Sequence, residues 1–364
     1  MNQEISLIKA IQIQLQLYAN KDYERAFSWS KQLIQHAPDE LVGYYVQSLC
    51  LYQLGKRVLA AKLMSEIELK CPAIKRYDLM RPIILRQRGN DWLAIHENRL
   101  AEIEKFKQVD SFILSYPKSG RTWLRLLISA YLLGSLTETD ADPMDVFSLT
   151  LKNQRLPTIE FTHDDYPMWK PLTEIIHDKS VYRDKSVVLL VRDPRDVMVS
   201  YYFQFTKRGD AKLAMNSDFD GTLFDFVKHN IGGLATLIEF MNIWAQQRLV
   251  VKSFLLIQYE DLMNDTESEL TRLFEFLEIE IEASDRLQQA VQMCEFEKMK
   301  KMEVENTLSN RRLSTTAQHD PESYKVRRGK VGGYRDYFSA AEINWINTYI
   351  YANLDPFYQC YRDV

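Results

Sequence analysis

The chain has 364 residues, 46% apolar and 26% charged, which suffices for a sizeable core and for more than one domain. A net charge of −4 gives no support to nucleic acid as the main partner, so any basic site must be local. Four cysteines, Cys50, Cys71, Cys294 and Cys360, form no CxxC pair and no metal-type His/Cys cluster, which suits a reducing compartment and argues against a zinc site.

The amino-terminal segment MNQEISLIKAIQIQLQLYANKDYERAF lacks a basic stretch, a small-residue cleavage site and an uninterrupted apolar run. No apolar stretch of about 18 residues occurs anywhere, so a cytoplasmic protein without a membrane segment is expected. Residues 1–108 read as helical and repetitive. Ala26, Leu33 and Pro38 recur 34 residues later as Ala60, Ile67 and Pro72, and a fainter copy places Ala94 with Gly89 matching Gly55. A small residue where helices cross and a proline where a helix ends, at that period, resemble the tetratricopeptide repeat. Such a region is either a docking surface for a protein partner or a helical element packed on the rest of the chain.

From residue 109 the pattern changes. SFILSY (111–116), SVVLLVRD (186–193) and SFLLIQYED (253–261) are apolar runs of strand length. Helical patterns come after each, in TWLRLLISAYLL (122–133), DPRDVMVSYYFQF (193–205) and DTESELTRLFEFLEI (265–279). Strands alternating with helices predict an α/β domain over 109–364, built on a parallel sheet with ligands at the carboxyl ends of its strands.

The first such end carries SYPKSGRTW (115–123). A helix amino end there presents backbone N–H groups to an anion, Gly120 admits close backbone approach, Lys118 adds a mobile charge, and Ser119 and Thr122 add hydroxyl donors. The Walker string Gly-x4-Gly-Lys-Ser/Thr is absent, which removes the main support for a nucleotide kinase or an ordinary ATPase. A second basic turn, VRDPRDVMVSYY, sets Arg192 at a strand end and Ser200 two helical turns beyond, with Pro194 at the first helical position. A third, YKVRRGKVGGYRDYF (324–338), interleaves arginines with glycines, as a loop around a phosphate requires.

PKSGxTW, then Arg-x7-Ser, then R-[RK]-G-x-x-G, in this order, resemble the cytosolic sulfotransferase family over about residues 109–340, as do CEFEKMKKME (294–303) and YEDL (259–262). The resemblance implies a P-loop-like parallel sheet flanked by helices, the sulfotransferase fold, preceded here by the all-α region. It implies 3′-phosphoadenosine 5′-phosphosulfate (PAPS) as donor and 3′-phosphoadenosine 5′-phosphate (PAP) as product, without a metal. Lys118 would then contact the bridging oxygen between phosphate and sulfate. Ser119, Gly120, Arg121 and Thr122 would cradle the 5′-phosphate. Arg192 and Ser200 would hold the 3′-phosphate, joined by Arg327, Arg328 and Gly329. Trp123 would stack on adenine and Tyr259 would approach it, unless both are ordinary core residues.

The transfer needs a group that takes the acceptor's proton, and a neutral histidine suits it. His163 in IEFTHDDYPMW matches the family's Thr-His pair, whereas the helix after the phosphosulfate loop contains no acid. Many relatives have a lysine two residues before that histidine; here it is Phe161. The family's dimer segment is also poorly kept. Asp164 and Asp165 come directly after the base, where the acceptor site should begin, and point to a polar or cationic small molecule carrying a hydroxyl or amine, such as a natural product, unless they face solvent. The alternative from another class is an inactive nucleotide-binding scaffold with a helical docking region.

Overall fold

Whether helices cross closely is decided by the size of the residue between them, and the start of the chain shows this locally. The structure, a computed structural model, describes residues 20–38, 41–56 and 105–363 except 165, 209–218, 282–283, 309–312 and 314–319, with scattered positions at 10–18, 59 and 63. It divides into two compact units, Met1–Lys107 and Gln108–Val364. In the first, helix α1 (Tyr23–His36) begins at Asp22, whose carboxylate accepts the Arg25 N–H at 3.3 Å. It packs on α2 (Leu41–Gln53) through fully buried Ala26, which meets Val46, Leu49 and Cys50. A Cβ added to Gly43 would stand 2.9 Å from Ile34 Cγ1, so the second helix also needs a small residue at the contact. Ala60, Ile67, Pro72, Gly89 and Ala94 lie outside the described residues, and the repeat is therefore not established beyond this single hairpin.

The second unit is built on a parallel sheet of β1 (Ser111–Ser115), β2 (Ile159–Thr162), β3 (Ser186–Val191) and β4 (Ser253–Gln258), in the order β2-β1-β3-β4. Ser111 pairs with Ile159 on one side and Ser186 on the other, and Ser186 pairs with Ser253. Strand β1 is buried throughout, as a central strand covered on both faces should be. Its alternate side chains serve two layers. Ile113, with Val188 and Leu190, packs toward α3 (Arg121–Leu133) and the later helices, whereas Phe112 meets Tyr182 at 5.1 Å, and Tyr182 meets Trp244 at 5.5 Å.

The three expected strands and the helices after them are present. Helix α4 (Pro194–Arg208) starts on the expected proline; α5 (Leu234–Gln247), α6 (Tyr259–Asn264) and α7 (Thr266–Phe276) come next, then α8 (Ser284–Met293), α9 (Phe296–Glu305) and α10 (Ala340–Asn353). Strand β2 was not foreseen. Its four residues bury only Ile159 and Phe161, too short an alternation to register as a strand in isolation.

A buried polar knot ties the start of α4 to the end of the chain. Arg195, 1% exposed, donates from Nε to Asp193 Oδ1 (2.7 Å), from Nη1 to Asn347 Oδ1 (2.9 Å) and from Nη2 to the Tyr361 carbonyl (3.1 Å). Removing this guanidinium takes the counter-charge from the buried Asp193 carboxylate, which keeps the Arg195 backbone N–H at 2.9 Å. Arg195→Met is expected to lower unfolding free energy by roughly 3–5 kcal/mol, read as a lower denaturant midpoint in urea.

Candidate functional site

Because the strands run parallel, the loops leaving β1, β2 and β3 emerge together at the carboxyl end of the sheet. There, with segments from α6, α8, α9 and the 325–337 loop, they enclose a cavity of ≈ 390 Å³. Lys118, Gly120, Arg121, Thr122, Trp123, His163, Arg192, Ser200, Tyr259, Arg327, Arg328 and Gly329 all line it, although they come from distant parts of the chain. Ser119 is buried and does not line the cavity. Nor does Asp164, and Asp165 lies outside the described residues.

The loop after β1 is shaped for a close-fitting anion. Gly120 caps α3 at φ +97° and, lacking a side chain, makes no capping bond of its own to the N–H groups of that helix end. A Cβ at Gly120 would lie 2.6 Å from Tyr259 Cδ2, which leaves room for glycine alone. Lys118 also takes a positive φ of 72°, a backbone conformation that costs a non-glycine residue energy and that recurs at functional turns.

Arg192 closes the next side. It donates from Nη1 to the Lys118 carbonyl (3.3 Å) and from Nη2 to the Lys330 carbonyl (3.2 Å), and its guanidinium carbon stands 4.4 Å from the Tyr259 ring centre. Its Nε is buried without a hydrogen-bond partner, as is that of Arg327. Orphaned donors of this kind, on a wall that carries Lys118, Arg121, Arg192, Lys325, Arg327, Arg328 and Lys330 against Asp196 and Glu295, fit a multiply charged anion. Trp123 donates to the Cys294 carbonyl (3.0 Å) and meets Tyr259 edge-on at 5.8 Å, so the two aromatics support the cavity and line it.

Two carboxylates that the motif reading did not single out hold the late basic loop in place. Buried Glu303, on α9, accepts the backbone N–H of Lys325 and of Val326, both at 2.7 Å. Buried Asp196, on α4, accepts those of Gly332 and Tyr334, both at 2.8 Å. Burial raises the Asp196 carboxyl above its ordinary range, and Arg192, 3.6 Å away, opposes the rise. Between these anchors Gly329 has φ +56° and faces Phe296 so closely that a Cβ would stand 2.5 Å from its ring. Within the loop, Arg327 pairs with Glu322 (2.7 Å) and Tyr337, and Arg328 and Lys330 pair with Asp336 at 2.6 and 2.9 Å. The signal for Asp196 was its place four residues after Arg192; Glu303 closes the segment CEFEKMKKME, but its contact with the late loop needed the fold.

His163 stands at the end of β2. Its Nδ1 lies 2.7 Å from the Ser115 carbonyl, which can only accept, so Nδ1 carries the proton and Nε2 is the basic nitrogen. Burial, then the charge of Arg121, pushes the imidazolium pKa well below 6.5, with Arg125 and Lys325 acting in the same direction and the Ser115 bond opposing. The ring is therefore a neutral base at pH 7. Phe161 is buried, with the Arg125 guanidinium 4.6 Å over its ring. Asp164 is placed differently from the sequence expectation: its carboxylate is 2.6 Å from Lys179 Nζ and accepts the Tyr182 hydroxyl at 2.9 Å, inside the protein.

Residues 108–357 match the model of the sulfotransferase domain. Sulfotransferase 2A6 of Rattus norvegicus is 30% identical over 247 residues, 65% of this chain and 81% of its own length. Flavonol 3-sulfotransferase of Flaveria bidentis is 24% identical over 273 residues, 70% of this chain and 85% of its own. Among solved structures, mouse sulfotransferase SULT7A1 complexed with PAP is similar over 70% of this chain and 89% of its own, at 21% identity and a TM-score of 0.45.

The charge environment of His163 is open to direct measurement. An NMR titration of its ring should give a midpoint below 6.5, the ordinary value, with the proton on Nδ1 in the neutral form. Lys325→Met removes one opposing cation, so the midpoint should rise toward that value.

Proposed function

The chain belongs to the sulfotransferase family, and from that premise we propose that it moves a sulfuryl group from PAPS to a hydroxyl of a small molecule in this cavity. The reading rests chiefly on one juxtaposition: an uncapped helix end and a wall of cations with orphaned donors share a cavity with a neutral histidine. When bound, the donor supplies an activated sulfuryl group on a phosphate leaving group. Lys118 and the amino end of α3 bind the phosphate and meet the negative charge that grows there. Arg192, Ser200, Arg327, Arg328 and Gly329 would bind the second phosphate, and Trp123 and Tyr259 would flank the adenine. His163 takes the acceptor's proton on Nε2, while its Nδ1–H stays bonded to Ser115 and keeps the ring oriented.

The acceptor is a small molecule. Asp164 is already paired with Lys179, so the case for a cationic acceptor stands on Asp165 alone, and the charges of Arg121 and Lys325 around His163 weigh against it. Among the described residues no helix is long and apolar enough to cross a membrane. We place the enzyme in the cytoplasm on its scattered cysteines, and we assign residues 1–108 to a helical domain that either docks a protein partner or packs on the catalytic domain 109–364.

Incubation with PAPS and a small-molecule extract should yield a product heavier by one sulfuryl group; an inactive scaffold would bind nucleotide and yield none. PAP should bind in calorimetry without added magnesium, because cations and backbone N–H groups meet its phosphates. Arg192→Ala should weaken that binding by about 1.5–3 kcal/mol, roughly 10- to 150-fold. Unchanged affinity in this variant, or strict dependence on magnesium, would sink the assignment.

The role of the base has its own test. His163→Ala should lower turnover by about 10²–10⁴-fold with PAP affinity nearly constant. Near-normal turnover would move the base elsewhere while leaving the nucleotide site intact.

A further inference from the structure

The turn that carries His163 is built in a costly conformation. Asp164 has φ +53° and Tyr166 φ +50°, so two of the three residues after His163 occupy the left-handed region without being glycine. Local bonds stitch the turn: the Asp164 N–H donates to Thr162 Oγ1 at 3.0 Å, and the Tyr166 N–H donates to the Asp164 carbonyl at 2.7 Å. Such bonds result from the conformation and do not select it.

What lies beneath the turn is an ion pair. The Asp164 and Lys179 side chains are each 1% exposed and 2.6 Å apart. Tyr182 donates to the other carboxylate oxygen at 2.9 Å, and Lys179 also donates to the Ile176 carbonyl at 2.6 Å and stands 5.7 Å from the Trp244 ring centre. Desolvating both charges makes such a pair a poor source of stability compared with apolar packing, so its worth lies in specifying one geometry. Tyr182 is itself fixed against Phe112 of β1. The pair thus anchors the turn to the layer under the central strand, whose last carbonyl, Ser115, orients the His163 ring.

We propose that Asp164, Lys179 and Tyr182 form a positioning device for His163, holding the turn after β2 so that the imidazole keeps its bond to Ser115 and its place on the cavity wall. The inference rests on His163 being the base. It assigns Asp164 a role beneath the site, where the sequence pointed to the acceptor.

The readout is the His163 ring itself, which a merely structural pair would leave unchanged in folded protein. In full-length Asp164→Asn, NMR should show a second tautomer with the proton on Nε2, and the titration midpoint should move up toward 6.5 as water reaches the ring. Direct electrostatics predicts the opposite: losing a nearby carboxylate while Arg121, Arg125 and Lys325 remain would push the midpoint further down. PAP affinity by calorimetry should stay at the wild-type value, since none of the three residues lines the cavity. Tyr182→Phe, which keeps every charge, should shift the midpoint upward by less, and it carries the test if Asp164→Asn fails to fold. Asp164→Asn/Lys179→Gln, with a neutral amide pair in the same place, should restore the single tautomer. A folded Asp164→Asn or Tyr182→Phe protein with the wild-type tautomer and midpoint would overturn the proposal. That outcome is separate from failure of the base assignment, which His163→Ala turnover reports.

Discussion

The bond between His163 Nδ1 and the Ser115 carbonyl joins the ends of two neighbouring strands, and the proposed chemistry depends on it. Ser115 ends β1, and the loop after it delivers Lys118 and the amino end of α3. His163 comes directly after β2. One hydrogen bond therefore ties the proposed base to the strand that presents the proposed anion site, and it also decides which ring nitrogen can receive a proton. A shift of register between β1 and β2 would separate His163 from the Lys118 loop while leaving the sheet intact.

The cavity resolves a conflict between charge and conformation. The chain as a whole carries −4, yet seven lysines and arginines line one cavity. Like charges crowded together repel, and the late loop also has glycines that favour many conformations. Two sets of carboxylates counter this. Glu303 and Asp196 hold the loop backbone at either end, without using the guanidinium groups of Arg327 and Arg328. Glu322 pairs with half-buried Arg327, and Asp336 pairs with Arg328 and Lys330 in contacts exposed enough to exchange for an anion at little cost.

Much of this was legible in the residues. SFILSY and SVVLLVRD are apolar runs bounded by loop residues, so β1 and β3 could be read directly, and Pro194 marked the start of α4. The turn from β1 to α3 was legible because glycine, lysine and hydroxyl residues came together between an apolar run and a helical pattern. Strand β2 was not, because its four residues owe their conformation to pairing with β1. The single hairpin at Ala26 accords with the local reading of a small residue at a helix crossing, which is a statement about two helices and not about an array.

Asp164 marks the boundary between the two kinds of information. By itself the sequence determined the order of motifs, the cationic loops and a histidine that resembles the family's base, since each depends on residues close together in the chain. It placed an aspartate beside the base, and a charged residue beside a site reads as facing ligand. Only the tertiary structure brought Lys179 within 2.6 Å and Tyr182 within 2.9 Å of that carboxylate and took all three out of solvent. Partners 15 and 18 positions away, joined through the layer beneath a central strand, leave no local pattern. Burial decides whether a carboxylate serves the ligand or the fold, because desolvation makes an unpaired charge too costly and a paired one unavailable.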